Sequence, residues 1–460
     1  MTAERRGVLE AFYGRPWSWD ERHRMLDFMQ EVGFNRYLYA PKNDTIHRNR
    51  WQEPYTHVEW RQFERLATHA REVGVELIFG LSALAFRYSD PGHLEVLLSK
   101  LQAAQACGIR SFALLLDDLP SRFEHGEDAG VFPDLARAQV WLVHQLLPHL
   151  DPEGEFYFCP TEYHGAGNSA YLWALGAGLD PRVLVFWTGQ EVCSPAIGAA
   201  ELRRVAEVLR RPVVVWDNFP VNDLDMQYDL HIAALTGRDP DLPAACSGYF
   251  AAAGALSAAS EVAMRTTADY LRDPAGYDPA QALRQAAQRS THSPEEAQAL
   301  VFLADLARRT PLTSGPAALE HPLWPAIDRF WAARGGPPPA AGPDVPGRPA
   351  EAAEAGAPDE APLREAVEAM HQHADTLARL HDPLLLQNVA PWTAKLAGWA
   401  RVARLGLAAL DHPQDPQARE AVLDELALVR ENFHWVAGDT FDTFARRCVW
   451  AAEAQAGATP

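Results

Sequence analysis

Two adjacent carboxylates follow an unbroken apolar run, Ser111 to Leu116, and chemistry can be built around them. Such a run is typical of a strand buried on both faces, and a parallel barrel places its reactive groups just past strand ends of this kind. Asp117 and Asp118 would be costly to bury there without a partner or a task. A lone Asp-Asp pair at a strand end is more often a helix cap or a turn, so the other strand ends must decide between the two interpretations.

Those other strand ends carry acids, amides, large aromatic rings and one lysine. They are Glu10, Tyr13 and Arg15; Lys42, Asn43 and Asp44; Glu162, Tyr163 and His164; Trp187 and Thr188; and Trp216, Asp217, Asn218, Asn222 and Asp223. Aromatic rings can stack on a sugar ring beside polar groups that bind its hydroxyls. A pair of acids suits glycosidic cleavage, in which the leaving oxygen is protonated while positive charge grows at the anomeric carbon. The set therefore favours catalysis on a carbohydrate.

Several of these residues also have a simpler interpretation. Lys42 alone could be a surface lysine, Glu10 a structural ion-pair partner, and Cys159 a small buried hydrophobe. The histidines show no metal-ligand spacing. Several acids and a lysine on barrel strands could nevertheless build a magnesium site, and a metal-dependent barrel enzyme is the mechanistic alternative.

The adjacency of the two acids restricts the mechanism. Successive strand residues point to opposite faces, so Asp117 and Asp118 can approach one ligand only if the strand ends between them, and they then reach different parts of it. This geometry suits a reaction in which one acid protonates the leaving oxygen and the other steers a nucleophile that the substrate supplies. We expect the adjacent charge to raise the pKa of one member of the pair.

The elements that must position these groups form a regular series. Eight apolar runs alternate with amphipathic helical stretches, which predicts a (β/α)8 barrel rather than a doubly wound sheet. The first run leads into Phe12–Trp17, which is not the glycine-rich phosphate loop of the alternative fold. The predicted strands are Gly7–Phe12, Phe34–Ala40, Glu76–Leu81, Ser111–Leu116, Glu155–Cys159, Arg182–Trp187, Pro212–Trp216 and Cys246–Phe250.

Past the barrel, the chain is predicted to be all-α. The predicted domains are the barrel at 1–275, a helical extension at 276–334, a linker rich in Pro, Ala and Gly at 335–362, and a C-terminal helical bundle at 363–460. Pro391 should kink a bundle helix or start a new one. Leu224–Thr236 is also predicted to be helical.

Composition argues against two classes of partner. A net charge of −20 disfavours nucleic acid and an anionic membrane surface. Five scattered cysteines fit a reducing compartment, and no run is long enough to span a membrane, so we expect a cytoplasmic protein. The helical region could form a homodimer or line the substrate groove.

Several blocks of sequence resemble one family, the glycoside hydrolase family 84 β-N-acetylglucosaminidases. They are Gly7–Ser18, Tyr39–Asp44, Leu115–Asp118, Cys159–Tyr163, Phe186–Gly189 and Trp216–Asp223. The blocks occur in the family's order and span most of the barrel. The resemblance implies retaining hydrolysis with no metal and no cofactor, in which the substrate's 2-acetamido group is the nucleophile and an oxazoline is the intermediate.

The resemblance also implies roles for single residues. Asp117 would accept the acetamido N–H and orient that group, and Asp118 would be the general acid and then the general base. Tyr163 would bind near the acetamido oxygen. The other implied contacts are support of Asp117 by Asn218, walls of the acetyl pocket from Trp216 and Cys159, the 4- and 6-hydroxyls for Asp223, and the 3-hydroxyl side for Lys42.

Two departures from the family fall on its 3-hydroxyl side. One is Ala11, and the other is Ala251–Gly254, which lacks the amide usual in that loop. One hypothesis is an active enzyme with a looser site that accepts a sugar substituted at O3, because losing one neutral hydrogen bond costs only about 1 kcal/mol. The alternative is a divergent sugar-binding homologue with weak or no turnover. The intact acids favour the enzyme, acting on terminal β-linked GlcNAc or a related N-acetylhexosaminide.

Overall fold

Eight parallel strands form a closed barrel in sequence order, and the first strand also pairs with the eighth. The computed structural model describes residues 4–308, 323–335 and 359–457. The strands are β1 Arg6–Glu10, β2 Arg36–Tyr39, β3 Glu76–Leu81, β4 Ser111–Leu115, β5 Phe156–Cys159, β6 Leu184–Trp187, β7 Val214–Asp217 and β8 Gly248–Ala252. The predicted barrel is confirmed, and each predicted strand overlaps an observed one.

Helices connect the strands and surround the barrel. They are α1 Trp19–Val32, α2 His57–Glu72, α3 Pro91–Ala106, α4 Asp128–Val131, α5 Leu135–Leu146, α6 Ala170–Gly178, α7 Ala199–Leu209, α8 Leu242–Ala245 and α9 Ser257–Arg272. Local sequence sets where they begin and end. Helix α1 starts at a capping box formed by Ser18 and Glu21, and it ends at Gly33, whose φ of 80° favours glycine.

Strand β4 fixes the position of the two acids. All five of its residues are buried, as the apolar run predicts. Its register pairs Leu115 with Cys159 of β5, so the ends of these two strands lie side by side. Because parallel strands end at one mouth of the barrel, Asp117 and Tyr163 emerge at the same rim.

The described residues after the barrel form seven further helices. They are α10 Pro279–Ser290, α11 Pro294–Leu306, α12 Leu323–Ala333, α13 Ala361–Leu377, α14 Pro383–Asp411, α15 Pro416–Arg430 and α16 Thr440–Gly457. Helix α14 runs through Pro391, so the expectation of a new helix at that residue is wrong. None of the described helices has the length and apolar character that a membrane span requires.

The chain divides into two compact units. The described residues of the first are 4–224 and 234–282, and those of the second are 225–233, 283–308, 323–335 and 359–457. The four-part division by sequence stays a prediction. Most of its linker, residues 336–358, lies outside the described residues.

The predicted helix at Leu224–Thr236 is wrong, because the segment holds only the 3-10 turn Leu224–Met226. Residues 230–235 are buried in succession and leave no solvent face for an amphipathic helix. The carbonyl of Tyr228 accepts a hydrogen bond from the Trp392 indole at 3.0 Å. The Leu235 N–H donates to the Thr266 hydroxyl at 2.9 Å. These tertiary hydrogen bonds replace those of a helix.

Candidate active site

Asp117 and Asp118 converge on one lysine. Strand β4 ends at Leu115, and Asp118 takes a left-handed conformation with a φ of 58°, which is uncommon for a residue with a side chain. The ammonium of Lys42, from the loop after β2, contacts the Oδ2 atom of Asp117 and lies 3.6 Å from the Oδ2 atom of Asp118. The structure thus brings the predicted pair and the predicted lysine together.

Asp117 is the more buried acid, with 7% of its side chain exposed. Its Oδ2 atom meets Lys42, whereas its Oδ1 atom is buried and has no hydrogen-bond partner among the described residues. A buried acceptor without a partner costs about 1–3 kcal/mol. Asp117 can therefore accept a hydrogen bond from a ligand N–H.

Asp118 is the more accessible acid, with 33% of its side chain exposed. Its two oxygens accept hydrogen bonds from two tyrosines. Tyr163 donates to Oδ1 at 2.8 Å, and Tyr13 donates to Oδ2 at 2.9 Å. Asp118 therefore combines solvent access with a fixed orientation, as a group that exchanges protons with substrate and water requires.

The pKa of Asp118 is lowered, although the neighbouring carboxylate of Asp117 by itself would raise it. Burial alone would raise the pKa of this carboxyl, but the Lys42 charge and the hydrogen bonds from Tyr163 and Tyr13 outweigh burial. Burial opposes the charged form of Lys42, but Asp117 and Asp118 together raise the pKa of that ammonium. Burial also raises the pKa of Tyr163, so its hydroxyl stays a donor. Without ligand, the site therefore favours a charged Lys42 beside a charged Asp118.

Cys159 and Trp216 are buried at the ends of β5 and β7, with 1% and 5% exposed. Burial, and then the Asp117 charge, raises the pKa of the Cys159 thiol well above its usual value, so Cys159 is a neutral wall beside the acids. The Trp216 indole donates to the Asn218 Oδ1 atom at 2.9 Å, and the Asn218 amide donates to the Val192 carbonyl at 2.6 Å. The described contacts thus connect Asn218 with Trp216 rather than with Asp117.

Asp223 connects the loop after β7 with the loop after β1. Its Oδ2 atom accepts a hydrogen bond from the Tyr13 backbone N–H at 2.7 Å. Burial raises the pKa of Asp223 more than the Tyr13 N–H lowers it, and the charge of Asp118 raises it further. Asp223 therefore belongs to the same electrostatic cluster as the two central acids.

Arg48 was missed by the sequence analysis. It is 6% exposed, its Nη1 atom donates to the Tyr13 hydroxyl at 3.2 Å, and its guanidinium lies 5.6 Å from the Tyr13 ring centre. Tyr13 was placed at the barrel mouth but was given no role. Arg48 lies in the long loop after β2, where no periodicity or motif marks one arginine among several.

Three acids predicted at the mouth instead have structural partners. Glu10 accepts two hydrogen bonds from the buried Arg22, which confirms the ion-pair interpretation. Asp44 accepts from the hydroxyls of Tyr39 and Tyr55 at 2.6 Å. Asp217, expected past the end of β7, is instead the last residue of that strand and is 1% exposed. It is held by Arg238 at 2.6 and 2.8 Å.

The alanine run at the end of β8 is covered by protein. Ala251, Ala252 and Ala253 are at most 2% exposed. The next residue, Gly254, accepts a hydrogen bond from the buried Trp17 indole at 3.1 Å. A Cβ atom on Gly254 would lie 2.0 Å from the Oδ1 atom of Asn222, so a larger residue here would have to displace that side chain. The hypothesis of a looser 3-hydroxyl side gains no support from this arrangement.

Groups of three or more His, Cys, Asp or Glu side chains able to hold a metal ion do not occur among the described residues. The ammonium of Lys42 lies next to both central acids. A cation at this position repels a divalent ion, so the cluster does not suit magnesium.

Comparison with known proteins identifies relatives of the barrel. Residues 6–305 match the sequence model of the β-N-acetylglucosaminidase family. The protein O-GlcNAcases of rat and mouse are each 36% identical to this chain over 273 residues, which is 58% of this chain and 30% of each relative. The chain thus spans less than a third of the length of these relatives.

Two solved structures share the fold. A mutant of the O-GlcNAc hydrolase from Thermobaculum terrenum superposes with a TM-score of 0.84 at 28% identity, covering 99% of this chain and 96% of that one. CpGH84B gives a TM-score of 0.78 at 22% identity, covering 97% of this chain and 77% of that one, and shows the fold alone. The family match spans well over half of the sequence and includes both central acids. The chain belongs to the β-N-acetylglucosaminidases of glycoside hydrolase family 84.

Proposed function

We propose that this protein is a retaining β-N-acetylglucosaminidase that hydrolyses a terminal β-linked GlcNAc or a related N-acetylhexosaminide. One observation carries the proposal: a buried Asp117, whose Oδ1 atom has no hydrogen-bond partner among the described residues, adjoins a partly exposed Asp118, and Lys42 lies next to both. The two acids are adjacent in the chain, so they do not flank a glycosidic bond as two separate carboxylates would. They suit catalysis in which the substrate's acetamido group is the nucleophile.

Each acid takes one role in this reaction. Asp117 accepts the acetamido N–H at its Oδ1 atom and directs the acetamido oxygen at the anomeric carbon. Asp118 protonates the leaving oxygen as the bond from that oxygen to the anomeric carbon breaks and the oxazoline forms. Water then attacks the anomeric carbon, Asp118 takes the proton of that water, and the oxazoline opens. Two inversions at one carbon leave the β configuration unchanged.

The remaining predicted residues line the sugar site in this proposal. Tyr163 donates to the acetamido oxygen, and Cys159 and Trp216 enclose its methyl group, which suits their burial and neutral character. Asn218 holds the Trp216 indole in place. Asp223 binds the 4- and 6-hydroxyls and Lys42 binds the 3-hydroxyl side, as in the family that the sequence resembles.

The first experiment is hydrolysis of a fluorogenic aryl β-N-acetylglucosaminide by the purified chain, with the Asp117→Asn and Asp118→Asn variants beside it. We expect turnover with retained configuration by NMR, a large loss in Asp117→Asn, and a smaller loss in Asp118→Asn, because the aryl leaving group needs little protonation. Replacing the acetyl group by mono-, di- and trifluoroacetyl should lower kcat with each fluorine, because the nucleophilic oxygen becomes poorer. Undiminished activity in both variants, or a kcat that does not change with the number of fluorines, would exclude this mechanism.

Two alternatives make different predictions in the same assay. A divergent sugar-binding homologue would bind a GlcNAc-oxazoline mimic without turning over the glycoside. A metal-dependent enzyme would lose its activity in EDTA. We expect turnover that EDTA leaves unchanged.

We also propose a cytoplasmic location. The five cysteines are all unpaired, which suits a reducing compartment.

We further propose a homodimer formed through the helical region. Three large apolar side chains on α15 and α16 are exposed, namely Leu423, Leu428 and Trp450. Sedimentation of the wild-type chain and of Trp450→Asp tests the dimer, which the substitution should weaken.

A further inference from the structure

The two oxygens of Asp118 are held in unequal ways. The Oδ1 atom accepts from Tyr163, which follows β5, and the Oδ2 atom accepts from Tyr13, which follows β1. Tyr13 is fixed at two further points. Its backbone N–H donates to Asp223 at 2.7 Å, and its hydroxyl accepts from the buried Arg48 at 3.2 Å. The partner of Oδ2 is therefore anchored by two other residues.

Tyr163 has a second task, whereas Tyr13 has none in the proposed reaction. In the structure, the Tyr163 hydroxyl donates to Asp118. In the substrate complex, the proposed function gives that single proton to the acetamido oxygen. One phenol hydroxyl cannot donate to both acceptors at full strength. The Oδ1 atom is therefore the one that loses a donor when the sugar binds.

We propose that Arg48 and Tyr13 are positioning residues, which hold the Oδ2 atom of Asp118 throughout the reaction while Tyr163 leaves Oδ1 for the substrate. Oδ1 then takes a proton from solvent and delivers it to the leaving oxygen. In the second step, the same oxygen takes the proton of the attacking water. This inference rests on the acid and base role proposed for Asp118.

Charged and titratable groups face Asp118 from four of the strand ends. They are Tyr13 after β1, Lys42 and Arg48 after β2, Cys159 and Tyr163 at and after β5, and Asp223 after β7, besides the adjacent Asp117. The two cations and the two phenol donors favour the carboxylate, whereas the two other acids disfavour it. Losing the Tyr163 hydrogen bond raises the proton affinity of Asp118 in the substrate complex. Tyr13 and Arg48 limit that rise.

The test compares pH profiles of variants, because kcat/KM reports ionisation of the free enzyme and kcat that of the substrate complex. In Tyr13→Phe and Arg48→Gln, we expect the alkaline limbs of both profiles to move up by roughly 0.5–1 pH unit, since each change removes a stabiliser of the carboxylate. Tyr163→Phe should move the limb of kcat/KM alone, because Tyr163 has already left Asp118 in the complex. A merely structural role for Tyr13 and Arg48 would lower activity at every pH without moving a limb.

A leaving-group series gives a second measurement. If Tyr13 and Arg48 aim the acid, kcat for an alkyl glycoside should fall about tenfold more than kcat for an activated nitrophenyl glycoside, which needs little protonation. Arg48→Lys keeps the charge and should return the alkaline limb close to that of wild type. Arg50→Gln is the matched control, because Arg50 lies two residues away and pairs with the exposed Glu53. It should leave both profiles unchanged.

The two levels of proposal fail in different ways. If Asp118→Asn is inactive on the alkyl glycoside but Tyr13→Phe and Arg48→Gln keep the wild-type limbs, the positioning role is overturned and the proposed function stands. If Asp118→Asn stays fully active, the proposed function itself is overturned. If the alkaline limb of kcat moves in Tyr163→Phe as far as that of kcat/KM, Tyr163 still donates to Asp118 in the substrate complex. The proposed transfer of its hydrogen bond to the substrate is then refuted.

Discussion

Lys42 and Asp117 form an ion pair at the mouth of the barrel, and both side chains are at least nine-tenths buried. Lys42 pairs with the Oδ2 atom of Asp117, whereas the Oδ1 atom has no hydrogen-bond partner among the described residues. The Asp117 charge therefore depends on Lys42 for its compensation. Removing one member of a buried ion pair strongly destabilises a protein, because the other charge stays buried without compensation. Lys42 therefore contributes to stability as well as to the proposed sugar site.

Replacing the ammonium of Lys42 tests this dependence. We expect Lys42→Met to lower the free energy of unfolding by about 3–5 kcal/mol at neutral pH, because Asp117 would keep a buried charge without its cation. Urea denaturation of both proteins measures the difference. Combining Lys42→Met with Asp117→Asn should restore much of the loss, because the double variant has no buried charge left at the pair. A double variant as unstable as the sum of the single ones would show that the pair contributes nothing.

The two acids should respond differently to the leaving group. In Asp118→Asn, we expect kcat/KM for an alkyl glycoside to fall by about 10²–10⁴, and that for an activated nitrophenyl glycoside to fall much less, because only the former requires a proton. In Asp117→Asn, both should fall alike, since the nucleophile is weakened whatever leaves. Glu124→Gln, an exposed change in the loop after Asp118, is the control. The reverse ranking of the two variants would exchange the two roles.

Low pH should lower the stability of the protein through Glu155, which lies at the end of the barrel opposite the two central acids. This carboxylate accepts from Arg5 and Arg36 at 2.7 Å and from the Tyr157 hydroxyl at 2.6 Å. Burial opposes its ionisation, but these partners lower its pKa from 4.5 to about 2. A lowered pKa in the folded state means that the stabilisation is complete above pH 4.5 and is lost as pH falls toward 2.

Glu155→Gln should therefore be less stable than wild type at neutral pH by about 2–3 kcal/mol, and the gap should narrow as pH falls below 4.5. Urea midpoints between neutral pH and the acid limit of folding measure this change. Glu153→Gln is the matched control, because Glu153 is 82% exposed in the same loop. A gap between wild type and Glu155→Gln that does not change with pH would contradict the linkage.

Asp217 and Arg48 mark the limits of prediction from the sequence. Apolar runs predict the eight strands, and the groups after those runs predict Lys42, Asp117 and Tyr163 at one mouth. Strand β7 extends one residue further than predicted, to Asp217, and one residue decides which face of a strand a side chain occupies. Arg48 could not be predicted, because its link to Tyr13 depends on the path of an irregular loop.

Asp217→Asn should affect stability rather than chemistry. The substitution leaves the buried Arg238 guanidinium without its counter-charge, and we expect it to lower the free energy of unfolding by about 3–5 kcal/mol. Activity per folded molecule, measured well below the unfolding temperature, should stay near that of wild type. A selective loss of kcat in a protein of unchanged stability would place Asp217 in the reaction after all.

The buried alanine run at the end of β8 should make the protein strict at O3 of the sugar. The resemblance places the 3-hydroxyl beside Ala11 and this run, and Ala251, Ala252 and Ala253 are covered together with Trp17. A methyl group on O3 would therefore press against packed residues, and overpacking of this kind costs about 1–3 kcal/mol. We expect kcat/KM for a 3-O-methyl aryl β-N-acetylglucosaminide to be about tenfold to a hundredfold below that of the parent glycoside at the same pH. Equal rates would show that the loop opens to the substrate, as the looser-site hypothesis requires.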